Sequence, residues 1–159
     1  QLDTQTGLDY LRQQPEVDTE RIILFGQSLG GAIALDLLAR NRDTMAGCIV
    51  ENTFTDLPSM HRLVFPIFRG LAHMLSEPWD NIASLRAVGA FMPPMLFLSG
   101  RRDELIPPEM MDRLHAKAKE VAKPTVRIMK RDFAEGRHVY MYTQPGFYEA
   151  IAEYFAALQ

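Results

Sequence analysis

The sequence predicts an α/β protein, a parallel sheet with helices on both faces. Three observations carry this. Short apolar runs of strand character at 22–25, 47–50, 95–100 and 125–130 are separated by longer stretches of helical spacing. The first run passes through Gly26-Gln27-Ser28-Leu29-Gly30 directly into a helix-forming segment. The composition, 47% hydrophobic and 23% charged over 159 residues, is that of one globular domain with a substantial core. Right-handed crossovers put ligand chemistry at the C-terminal ends of such strands.

Each element has its own reason. Asp3 or Thr4 is placed to cap a first helix with Leu8 and Leu11 on its apolar side. Pro15 and the polar residues 16–20 turn the chain into the first strand. The Gly-x-Ser-x-Gly that follows implies a sharp turn, with Ser28 held in a strained backbone conformation and its hydroxyl raised above the sheet. A side chain at Gly26 or Gly30 is expected to collide with neighbouring backbone, and Gly31 and Ala32 let the helix lie close to the strand. The helix carries Ile33, Leu35, Leu37 and Leu38 and fades at Asn41-Arg42-Asp43. The second strand contains the single cysteine, Cys48, read as a buried core thiol, and ends in Glu51-Asn52-Thr53.

Residues 54–90 are rich in Met, Phe, Leu and Pro and hold the only Trp, Trp79. They read either as one or two short helices forming a small cap or as a plain crossover with core-facing apolar residues. Pro93-Pro94 breaks the chain before the third strand, and residues 101–106 form the loop at its end. Pro107-Pro108 opens a helix that runs to about Ala122, and Lys123-Pro124 ends it. Residues 125–130 alternate, which suits an edge strand whose charges discourage pairing with other molecules. After a loop at 131–145, Phe147, Ile151, Tyr154, Phe155 and Leu158 mark the inner face of a closing helix. The whole, 1–159, reads as a single domain.

Three strand ends carry reactive groups: Ser28, then Asp103 in Ser99-Gly100-Arg101-Arg102-Asp103, then His138 in Phe133-Ala134-Glu135-Gly136-Arg137-His138. A serine hydroxyl is a poor nucleophile until a base takes its proton, and an imidazole does so near neutral pH. The imidazole needs a carboxylate on its other nitrogen to fix its tautomer and stabilise its charged form. The order Ser, Asp, His is that of α/β-hydrolases. The backbone N–H of Leu29, at the start of the helix, would give half of an oxyanion hole. Glu104 neighbours Asp103, but adjacent loop residues point apart and only one can serve; Glu51, at the end of the second strand, is the alternative acid. His61 and His73 precede Asp103 and break the order, and His115 falls mid-helix. Arg101 and Arg102 read as solvated loop charges, with an anionic substrate as the alternative.

The net charge of −3 leaves no basic footprint for nucleic acid. The scattered histidines and lone cysteine form no metal set, and no cofactor motif is present: the glycines at 26, 30 and 31 lack the Lys-Ser/Thr of a phosphate loop. No apolar stretch approaches the length of a membrane span. The chain opens at Gln1 inside a helical pattern, which reads as a piece of something longer with any targeting segment upstream.

Four stretches carry a family resemblance: F-G-Q-S-L-G-G-A at 25–32, V-E-N-T-F at 50–54, L-F-L-S-G-R-R-D-E-L-I-P-P-E-M-M at 96–111 and F-A-E-G-R-H at 133–138. Through them the chain resembles the C-terminal part of a serine α/β-hydrolase. It is most similar to the branch containing alpha/beta hydrolase domain-containing protein thirteen, with the protein depalmitoylases as relatives. Where that branch follows its histidine with Asn-Asp, this chain has Val139-Tyr140. The resemblance implies hydrolysis of small-molecule or lipid acyl esters or thioesters by Ser28, Asp103 and His138. A serine peptidase, or a catalytically silent interaction domain on the same fold, is the alternative. It also implies an N-terminal membrane anchor in the parent protein, and a second oxyanion donor from a loop after an earlier strand. The far edge of the 22–25 strand is then expected to be unpaired and prone to association.

Overall fold

The computed structural model describes residues 2–57 and 79–158. Among the described residues five helices and four strands alternate. They are α1 (Leu2–Leu11), β1 (Ile23–Gln27), α2 (Leu29–Arg40), β2 (Gly47–Glu51), α3 (Asn81–Val88), β3 (Met95–Gly100), α4 (Pro108–Val121), β4 (Ile128–Phe133) and α5 (Phe147–Ala156). The strands form one parallel sheet in the order β1-β2-β3-β4, with Ile23 opposite Gly47, Cys48 opposite Met95, and Met95 opposite Ile128.

The two central strands are buried along their whole length, as a strand covered on both faces must be. Successive side chains point to opposite faces, so each strand feeds two cores. On one face Cys48, Val50, Met95 and Phe97 pack with Leu35 and Leu38 of α2, Leu85 and Val88 of α3, and Leu114 of α4. On the other, Ile49, Leu96 and Leu98 pack with Phe133 and with Phe147, Ala150 and Tyr154 of α5. Burial pushes the Cys48 thiol up to about 12 and keeps it a neutral core group. The Tyr154 hydroxyl crosses the sheet end to donate to the Pro94 carbonyl, 2.8 Å away.

Several expectations are corrected. α1 begins at Leu2, so Asp3 and Thr4 lie inside its first turn and not ahead of it; Asp3 still suits the positive helix end. Leu8 is buried in the core, but Leu11 is exposed. β4 lies three residues beyond the expected 125–130. Residues 123–126 form a turn, with the Val126 N–H donating to the Lys123 carbonyl, and the strand runs where β3 supplies a ladder partner. In α5 Phe155 is exposed and not on the expected inner face, and Ala150, which is not among the residues expected there, is buried beside Phe147 and Tyr154.

Of the stretch 54–90, residues 58–78 lie outside the described residues, along with any cap there and with His61 and His73. The described end of the stretch forms α3: Asp80 caps it through the Ala83 N–H, Leu85 and Val88 enter the core, and an Asp56–Asp80 bridge brings the two flanks together. Among the described residues no helix is long and apolar enough to cross a membrane.

Candidate active site

All four strands point their C-terminal ends the same way, and the groups singled out in the sequence meet there. Ser28 follows β1 with φ 54° and ψ −122°, a left-handed backbone that a non-glycine residue adopts only under constraint. Three hydrogen bonds supply the constraint. The Ser28 N–H donates to the Glu51 carbonyl (2.9 Å), the Ser28 carbonyl accepts from the Gly31 N–H (3.0 Å), and the Thr53 hydroxyl donates to the same carbonyl (2.7 Å).

The glycines around the turn are not equivalent. A Cβ at Gly26 would run into the Gly30 carbonyl and the Gly31 nitrogen, and one at Gly31 would run into the Thr53 side chain. A Cβ at Gly30 meets nothing within 4 Å among the described residues. The expected collision at Gly30 is therefore absent; the tight approaches are at Gly26 and Gly31. Leu29 opens α2, so its N–H is one of the initial donors that have no intrahelical acceptor.

His138 sits in the loop after β4, 7% exposed, with its imidazole between two oxygens. Nε2 lies 3.0 Å from Ser28 Oγ, and Nδ1 lies 2.9 Å from Asp103 Oδ2. The Asp103 side chain is 1% exposed, and its other oxygen, Oδ1, accepts the Leu105 and Ile106 N–H groups at 2.8 Å each. Those two bonds fix the carboxylate, leaving Oδ2 for the ring.

The competing groups are engaged elsewhere. Glu104 turns from the ring and faces the His138 backbone N–H at 3.4 Å. Glu51 is buried and accepts from the Gln27 side-chain amide at 3.0 Å instead of from the imidazole. Burial raises the Glu51 carboxyl to about 7, and the nearby His138 charge acts in the opposite direction. Arg101 pairs with Asp112 and Asp132, and Arg102 with Glu135. His115 packs edge-on to Phe97, and desolvation lowers its pKa.

The sequence reading gave no role to Gln27, Asn52 or Thr53, which hold this arrangement from behind. The only hint was their place beside Ser28 and in V-E-N-T-F; their partners lie 24 to 111 residues away in sequence.

A parallel sheet with helices on both faces, a strained serine at a strand-to-helix turn, and a histidine and carboxylate on later strand ends define an α/β hydrolase of the serine type. The chain belongs to the prolyl oligopeptidase family, whose sequence profile matches residues 2–158. It is 33% identical over 156 residues to Protein bem46 of Schizosaccharomyces pombe, which covers 98% of this chain and 50% of that protein. It is 37% identical over 128 residues to Alpha/beta hydrolase domain-containing protein WAV2 of Arabidopsis thaliana, covering 73% of this chain and 41% of that one. The chain thus spans about half the length of the curated relatives it matches. Among solved structures, the esterase Pf2001 of Pyrococcus furiosus has the same fold, with a TM-score of 0.77 at 16% identity over 99% of this chain and 60% of that one.

Proposed function

We propose that the chain is a serine hydrolase that cleaves acyl esters or thioesters through an acyl-enzyme, with Ser28, His138 and Asp103 as its triad. The observation that carries this reading is the continuous hydrogen-bond path from Ser28 Oγ through both imidazole nitrogens to the buried Asp103. In this mechanism His138 Nε2 takes the Ser28 proton as Oγ attacks the acyl carbon, and Asp103 holds the proton on Nδ1 and stabilises the imidazolium. The Leu29 N–H supports the negative oxygen of the tetrahedral intermediate. His138 returns the proton to the departing alcohol or thiol, leaving the acyl group on Ser28. Water, deprotonated by the same nitrogen, then releases the acid. The substrate is a small-molecule or lipid acyl compound.

The Pyrococcus furiosus neighbour is an esterase, which favours this substrate class. The name of the matched family favours a second reading, a peptidase using the same three residues. A matched panel separates them: a p-nitrophenyl acyl ester, the corresponding acyl thioester and a prolyl p-nitroanilide. The first reading expects a burst of nitrophenol equal to the enzyme concentration, and a kcat/KM for ester and thioester well above that for the anilide. A higher kcat/KM for the anilide would establish the peptidase instead, and a failure to turn over any of the three would contradict both.

A further inference from the structure

His138 is reached by a loop that leaves its own strand five residues earlier, and Val139 and Tyr140 beyond it are exposed. Tyr140 is also left-handed, with φ 64°. Something outside that loop must hold the imidazole in register with Ser28. Asn52, at the end of β2, is 1% exposed and reaches both neighbouring elements. Its Oδ1 accepts the Gly100 N–H at 2.8 Å, at the end of the strand that leads to Asp103. Its Nδ2 donates to the Arg137 carbonyl at 2.9 Å and the His138 carbonyl at 3.2 Å. The Gln27 amide donates to the same His138 carbonyl at 3.0 Å, and that amide is oriented by Glu51 Oε1, also 3.0 Å away.

We propose that Asn52 is a positioning residue whose carboxamide fastens the His138 main chain to the end of β3, with Gln27 as a second donor to the same carbonyl. This rests on the triad reading above. The side chain has to be an amide: one end must accept from a buried N–H and the other must donate to two carbonyls, and a carboxylate can do only the first. The backbone agrees, because Asn52 has φ 42°, a region that Asn and Asp enter more readily than other side chains do. Its hold on the loop sets the distance from Nε2 to Ser28 Oγ, and a displacement of about 1 Å at such a contact costs on the order of a hundredfold in rate.

The test uses Asn52→Asp, which keeps the acceptor and the backbone preference but loses the donor, and Gln27→Met, a change at an exposed position that removes the other donor. Ester turnover and the rate of covalent labelling by a fluorophosphonate are measured for each. Asn52→Asp is expected to lower kcat by on the order of ten- to a hundredfold with KM within about threefold, and to slow labelling in parallel. Gln27→Met is expected to slow labelling by a smaller factor. If wild-type protein fails to label at Ser28, the triad reading falls and this proposal falls with it. If wild-type labels at Ser28 but both variants label at its rate, the triad stands and the positioning role is overturned. If Asn52→Asp does not fold, Gln27→Met decides alone: labelling at the wild-type rate overturns the proposal, and slower labelling supports it.

Discussion

Single residues at this site act through very local constraints, and the three glycines of the turn separate one constraint from another. Gly31→Ala drives a methyl into the Thr53 side chain, whose hydroxyl holds the Ser28 carbonyl. It should cost about 1–3 kcal/mol of stability, read from urea unfolding. Gly30→Ala has open space and replaces a helical glycine, so it should be neutral or stabilising by up to about 1 kcal/mol. Equal losses for the two would refute the distinction. Glu51 gives a pH-dependent counterpart. Its carboxyl is raised from 4.5 to about 7 by burial, so the folded chain holds its proton more tightly than the unfolded chain does. The stability this contributes is fully present below pH 4.5 and is lost as pH rises through 7, a change on the order of 3 kcal/mol. Glu51→Gln should remove that part of the pH dependence, and the difference between the two proteins at pH 5 and at pH 8 measures it. Ser28, Asp103 and His138 could be picked out because each type of chemistry has a recognisable sequence context. Asn52 and Gln27 could not, because their meaning lies in contacts with a loop 85 to 111 residues later.

Elements were legible in proportion to how completely they are buried. β3 lies where its apolar run predicts, because a strand covered on both faces has no choice of register. β4 was displaced because an edge strand is chosen by its ladder partner: Arg131 and Asp132 look like loop residues but pair with Leu98 and Ser99. The same logic ranks the helices. α3 presents only eight residues, yet its Leu85 is fully buried between α2 and α4. Leu85→Ala should therefore cost about 2–5 kcal/mol in a denaturant titration. A loss below 1 kcal/mol would mean that α3 does not form part of the core.

At the scale of the whole molecule, β1 forms one edge of the sheet among the described residues. Among the described residues β1 pairs only with β2, and Phe25 on it is 55% exposed. A free strand edge with an exposed aromatic residue is a template for association. The protein is expected to self-associate with rising concentration in sedimentation velocity, and Phe25→Lys to reduce that association; a monomer at every concentration would contradict the expectation. Both ends of the sheet are exposed to this logic, but β4 carries Lys130, Arg131 and Asp132 along its edge, which oppose pairing.

In the proposed reaction the raised hydroxyl at the end of β1 is the nucleophile. Intact-mass and peptide analysis after treatment with a fluorophosphonate tests it most directly. One adduct per chain is expected, on Ser28, and none on Ser28→Ala. An adduct that persists in Ser28→Ala, or that maps to any other residue of the wild-type chain, would contradict it.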